Sequence, residues 1–263
     1  MRRASAGQNL PVVGALARRS IVQTFRRPQF LAPILLFPTL LLAINTGGAG
    51  RAVDLPAFPE VGGFLDFQLA ASTLQATMLA AVSGGVALAL DFELGFNDRL
   101  LAAPIPRWVM IVGRLAGTAI MGVVAAVWFL AIGLIFGAEI VGGPAGALVV
   151  IALSALSAAA FGGLGAALAV RSGQASVVQG TFPLAFVILF LSSAFFPQEL
   201  MQEPAATAAA YNPLSFIVEG LREPVLYGVS GEAILHGLGG VAIVGIVGVT
   251  LTALAMRARL RAA

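Results

Sequence analysis

Six mainly apolar stretches of about twenty residues or more run through this chain, each long enough to cross a bilayer core as one helix. They lie at about 30–46, 67–90, 109–136, 145–170, 176–196 and 234–256. Of the 263 residues, 59% are hydrophobic and 10% charged, whereas a soluble domain carries about 25% charged residues. Water cannot cover that much apolar surface, so lipid must. Outer-membrane barrels are excluded, because their strands read as alternating segments of about ten residues. The expected fold is an all-α integral membrane protein, one transmembrane domain over residues 1–263 with six spanning helices. Pro33 and Pro38 fall inside the first span, where neighbouring helices re-satisfy the freed backbone.

Charge sets the orientation. With both termini in the cytoplasm, thirteen of the fifteen arginines lie inside and only Arg51 and Arg222 outside. That is a strong positive-inside bias. Residues 1–27 are too polar to span, and no cleaved signal peptide is expected there. Leu10, Val13, Ala17, Ile21 and Phe25 share one helical face; Arg18, Arg19, Gln23 and Arg26 share the other. This pattern predicts an amphipathic helix lying in the membrane interface.

Two outer connections are more than loops. Residues 47–66 are rich in glycine and proline. In residues 197–233, Asn212-Pro213 reads as an N-cap followed by proline at the first helical position. The apolar run after it reads as a half-helix dipping back into the membrane, although a surface helix also fits the residues.

The chain carries little chemistry of its own. It has no cysteine, one histidine (His236) and no lysine. A phosphate-binding P-loop needs a lysine, so no such ATPase site is present. No nucleophile elbow or zinc-binding helix motif occurs, and no enzyme is expected in this chain. Metals and other cofactors are not expected either. The positive charge does not form the basic, aromatic-interleaved stripe of a nucleic-acid binder. Ionisable residues are nearly absent from the spans, with Arg114 near the cytoplasmic end of the third as the snorkelling exception. That argues against a proton- or sodium-driven carrier. The second span does carry Gln68, Ser72 and Gln75 on one face, either lining a translocation path or bonding helix to helix.

The polar stretch 91–107 stands out between two apolar runs. It holds three acids, two arginines, the apolar pair Leu100-Leu101, and Pro104 and Pro106. These prolines stop a short helix and fix its angle to the next span. Such a rigid elbow on the arginine-rich side suits docking of a partner.

The pattern Glu93-x-Gly95-x-x-Asp98-Arg99-Leu100-Leu101-x-x-Pro104-x-x-Arg107, followed by Gly113-Arg114, resembles the first cytoplasmic loop of ABC-2 type permeases. Phe195-Phe196-Pro197, Asn212-Pro213-Leu214 and Glu219-x-x-Arg222 resemble that family's outer region between helices five and six. The likeness is greatest to the daunorubicin-resistance branch. Phe96 stands where threonine is usual, and Ala102-Ala103 replace a small polar residue before Pro104. The resemblance implies the membrane subunit of an exporter in a bacterial cell membrane. It implies a second permease copy or paralogue, and separate ATPase subunits that hold the ATP and magnesium. The elbow would be the coupling helix, and Phe195 and Phe196 an apolar gate supported by the segment from Asn212. The expected cargo is a drug, lipid or glycolipid. A stand-alone carrier or channel independent of ATP is the alternative.

Overall fold

The computed structural model describes residues 6–26, 28–56, 58–96 and 107–262, apart from the side chains of 6–9, 28–30, 107–108, 260 and 262. Asp98, Arg99, Leu100, Leu101 and Pro104 therefore lie outside the described residues, as does the Arg107 side chain. Among the described residues there is no strand. The helices are α1 (Ala6–Arg26), α2 (Pro28–Ala49), α3 (Phe64–Glu93), α4 (Arg107–Ile135), α5 (Gly143–Ser172), α6 (Ala175–Gly180), α7 (Phe182–Phe190), α8 (Ala205–Tyr211), α9 (Pro213–Leu226) and α10 (Gly231–Ala262).

Five of these regions are long and apolar enough to cross a membrane: Leu31–Asp54, Phe64–Glu93, Val109–Ile135, Gly143–Ser172 and Gly231–Arg259. The second of them, α3, is the pole of the bundle. It is buried along most of its length and packs against α2, α4, α5 and α9. The bundle can close around it because small residues sit where backbones meet. A Cβ on Gly85 would lie 3.0 Å from the Gly165 backbone, and one on Gly165 would lie 2.8 Å from the Ala81 carbonyl oxygen. Between α5 and α10, the Thr252 hydroxyl donates to the Gly163 carbonyl at 2.7 Å.

That crossing yields a first test. Gly165→Val is expected to cost at least about 1–3 kcal/mol, as overpacking does, and to lower the thermal midpoint of purified protein in detergent. Gly245→Ala is the control, since its Cβ would meet Ala160 at an ordinary 3.6 Å. A Gly165→Val midpoint equal to wild type would refute the close crossing.

The expected continuous helix over 176–196 is not what forms. The segment Ala175–Phe190 is a shorter apolar pair, α6 and α7, broken at Thr181. Pro183 lies in the first turn of α7, the one part of a helix where its missing N–H costs nothing. Sixteen residues reach about 24 Å as helix, short of the ~30 Å hydrocarbon core. Phe182, Phe186 and Phe190 line one face of α7, and Phe186 meets Phe37 of α2 edge-on at 5.5 Å.

The α6–α7 pair still runs from one end of the bundle to the other. Ala175 is bonded to Glu93 at the end of α3, while Ser193 is bonded to Arg222 near Phe67 at the start of α3. One end of the bundle gathers α1 and the final turns of α3, α5 and α10; it is called the arginine end below. The opposite end holds α8 and α9.

Candidate functional site

At the arginine end, α3 delivers Asp91 to a buried position, 3% exposed, one turn before the polar elbow. An acid in the last turn of a helix opposes the helix dipole, so its presence calls for compensation. Arg19 of α1 supplies it with two bonds, Nη2 to Oδ1 at 2.8 Å and Nη1 to Oδ2 at 3.1 Å. Arg114 of α4 donates to the same carboxylate from the other side. The Arg19 guanidinium also stacks 3.6 Å above the Phe96 ring, a cation–π contact. One carboxylate thus joins three helices at the root of the elbow.

The neighbouring residues complete the joint. Glu93 is exposed, and its carboxylate accepts the Ala175 N–H at 2.8 Å, which ties the start of α6 to the end of α3. Gly95 has φ +67°, the left-handed backbone that glycine takes without a steric cost. It turns the chain off α3 into the elbow. Arg259 of α10 stacks 4.0 Å over Phe92 and donates to the Val170 carbonyl at 3.1 Å. Helix α1 reaches this place because Gly113 and Gly117 let it lie directly on α4.

At the opposite end, α9 stitches the frayed end of α7. The Asn212 side chain accepts from Leu214 N–H at 3.0 Å, the cap expected from the sequence, and its Nδ2 donates to the Ile188 carbonyl at 2.8 Å. The Ser193 N–H donates to the Ser215 hydroxyl at 3.1 Å. Arg222 Nη2 donates to the carbonyls of Ser193 and Ala194 at 3.0 and 2.7 Å. Its guanidinium lies 3.8 Å over Phe67.

Residues 11–226 match the model of the ABC-2 type transporter family. The chain belongs to that family. It is also 28% identical over 208 residues to the daunorubicin resistance ABC transporter permease protein DrrB1 of Streptomyces coeruleorubidus, covering 78% of this chain and 71% of that one. This ABC-2 protein is therefore a multi-pass membrane permease.

The expected outer-region residues of this ABC-2 fold differ in burial. Arg222 is half-buried against carbonyls and an aromatic ring. Phe195 and Phe196 part company. Phe195 is buried and stacked on Phe190 at 4.7 Å, while Phe196 is exposed. Glu219 is exposed too, 3.9 Å from His236. Helix α9 leans on α10, α3 and α5, with Ile217, Val218 and Leu221 buried. Pro224 lies inside α9, which runs on to Leu226.

Ser72 and Gln75 lie inside the protomer, with Gln68 beside them in sequence pattern; all three are about 1% exposed. The Ser72 hydroxyl and both amide ends of Gln68 and Gln75 have no hydrogen-bond partner among the described residues. By contrast, Thr73 and Thr77 bond back to Leu69 and Leu74 carbonyls on their own helix.

The Asp91 joint was missed as a unit by sequence reasoning. Arg19 read as part of the polar face of an interfacial helix and Arg114 as a snorkelling residue, and nothing in linear spacing pairs positions 19, 91 and 114. The usable signal was Asp91 itself, an acid at the unfavourable end of a long apolar helix.

Proposed function

We propose that this chain is the membrane-spanning permease subunit of an ATP-driven exporter that moves a hydrophobic or amphipathic substrate outward. The observation that carries this reading is the Asp91 joint. A force applied to residues 97–106 meets a root clamped to α1, α4 and, through Glu93, α6. It therefore moves spanning helices rather than a slack loop.

In this reading α6–α7 counts as a crossing, which makes six. The arginine end faces the bacterial cytoplasm with both termini, as positive-inside bias supports. The elbow residues Glu93, Gly95, Asp98, Arg99, Leu100, Leu101, Pro104 and Arg107 dock on a separate ATP-hydrolysing subunit, which holds the ATP and magnesium. This chain hydrolyses nothing and holds no cofactor. A second permease copy or paralogue completes the path. The buried polar face of α3 is what opens: an unpaired buried polar group costs about 1–3 kcal/mol, so a conformer that wets Ser72 and Gln75 recovers that cost. Phe195 and Phe196 close the outer end, held by the segment from Asn212 and Pro213 through Glu219 and Arg222. The name of the Streptomyces relative supports an amphipathic drug as cargo.

Leu100→Asp with Leu101→Asp is expected to abolish co-purification with the partner ATPase and the substrate-stimulated ATP turnover of the complex. The permease itself should remain in the membrane. Normal assembly and turnover in that variant would sink the docking role. Substrate transport by this chain alone in ATP-free liposomes would favour a carrier instead.

A further inference from the structure

An apolar slot runs between α5 and α10 at the arginine end, with a volume of about 610 Å³. One wall is Leu164, Ala167 and Leu168; the other is Leu251, Leu254 and Ala255. Leu164 and Leu168 also line a second apolar cavity of about 390 Å³ that continues the slot up to Phe161 and Val244. The two walls end in the same chemistry. Arg171 lines the mouth on α5. On α10 the slot-lining face of Leu254 and Ala258 continues, by helical period, to Arg261. Both arginines are exposed, and neither makes a hydrogen bond or ion pair among the described residues. Arg259, two residues before Arg261, is already engaged with Val170 and Phe92.

We infer that this slot is a binding site for an anionic phospholipid, with an acyl chain lying along Leu164, Leu168, Leu251 and Leu254 and the phosphate at the mouth marked by Arg171 and Arg261. Three observations select that occupant. Apart from Arg171 the slot is lined by leucine and alanine alone, which rejects a soluble anion or a polar peptide. The depth fits: Arg171 to Phe161 is ten residues, about 15 Å of helix, half of a ~30 Å hydrocarbon core. Charge rejects a second copy, because a two-fold interface would set this arginine pair near its own image. The leaflet, cytoplasmic by the orientation proposed above, rests on that reading; the site does not.

The test is native mass spectrometry of the full chain released from nanodiscs of equimolar phosphatidylglycerol and phosphatidylcholine. Wild type is expected to retain phosphatidylglycerol in preference. Arg171→Gln with Arg261→Gln should lower that preference by about fivefold per arginine. Leu168→Trp, which fills the slot and leaves both arginines in place, should displace the lipid. Leu148→Trp, an exposed position elsewhere on α5, should change nothing. Equal retention of the two lipids, an arginine variant indistinguishable from wild type, or retention of neither lipid would overturn the proposal. Since both arginines are exposed, their replacement leaves the core intact and the reading stands if Leu168→Trp fails to fold. No ATPase or transport is measured, so failure of the exporter reading leaves this result interpretable.

Discussion

Asp91→Asn is expected to be the most damaging conservative change in this chain. The asparagine keeps the shape of the side chain and removes its charge. Two guanidinium groups then converge on one site with no counter-charge. Arg114 is the costly one, since its side chain is only 12% exposed, while Arg19 at 31% recovers part of its hydration. Removing one partner of a buried ion pair typically costs 3–5 kcal/mol; the partial exposure of Arg19 places this case near the lower end, about 3 kcal/mol. The measurement is the thermal midpoint of the purified permease in detergent. Adding Arg114→Gln to Asp91→Asn should restore part of the loss, because it removes the stranded buried cation, and the double-mutant cycle reports the coupling directly. In the assembled complex, Asp91→Asn should retain ATPase binding yet lose the link between ATP turnover and transport. An unchanged midpoint together with unchanged coupling would dismiss the joint as ornamental.

Arg222→Leu carries the second large effect, at the other end. The substitution keeps an apolar stem over Phe67 and strips two donors from the Ser193 and Ala194 carbonyls. Hydrogen bonds from a charged donor contribute about 1.5–3 kcal/mol each. With the residue half-buried, about 3 kcal/mol in all is the expected loss. Its local signature is fraying of residues 191–204, read as faster proteolytic cleavage there, because Phe195 is seated only while that turn holds. Arg222→Lys should rescue only in part: both carbonyls are served by one nitrogen, Nη2, which an ammonium can replace, but an ammonium has no planar face to stack on Phe67. Wild-type cleavage kinetics in Arg222→Leu would refute the stitch.

Much of the architecture was legible before any coordinates. Spanning helices announce themselves because lipid offers no alternative partner for the backbone, so a long apolar run has one stable conformation. Five of the six expected spans appear as long apolar helices, four of them within a few residues of their predicted bounds and the first running on to Asp54. The Asn212 cap was legible for the same local reason, since a cap and its helix are neighbours in sequence. The break at Thr181 was less so: Pro183 marks it, but a proline inside a membrane helix can also be carried through, as Pro33 and Pro38 are in α2.

What the amino-acid order determined by itself was the polarity of the apolar segments, hence an all-α membrane protein, and the helix cap at Asn212. Pairings between distant positions were decided only by tertiary packing. Arg19 and Asp91 are 72 residues apart, and Arg222 lies 29 residues from Ser193. Each arginine looks like a solvated charge until close helix crossings bring its partner within reach. In a bundle where glycines let backbones touch, shape decides which charges meet, and shape is a property of the whole fold.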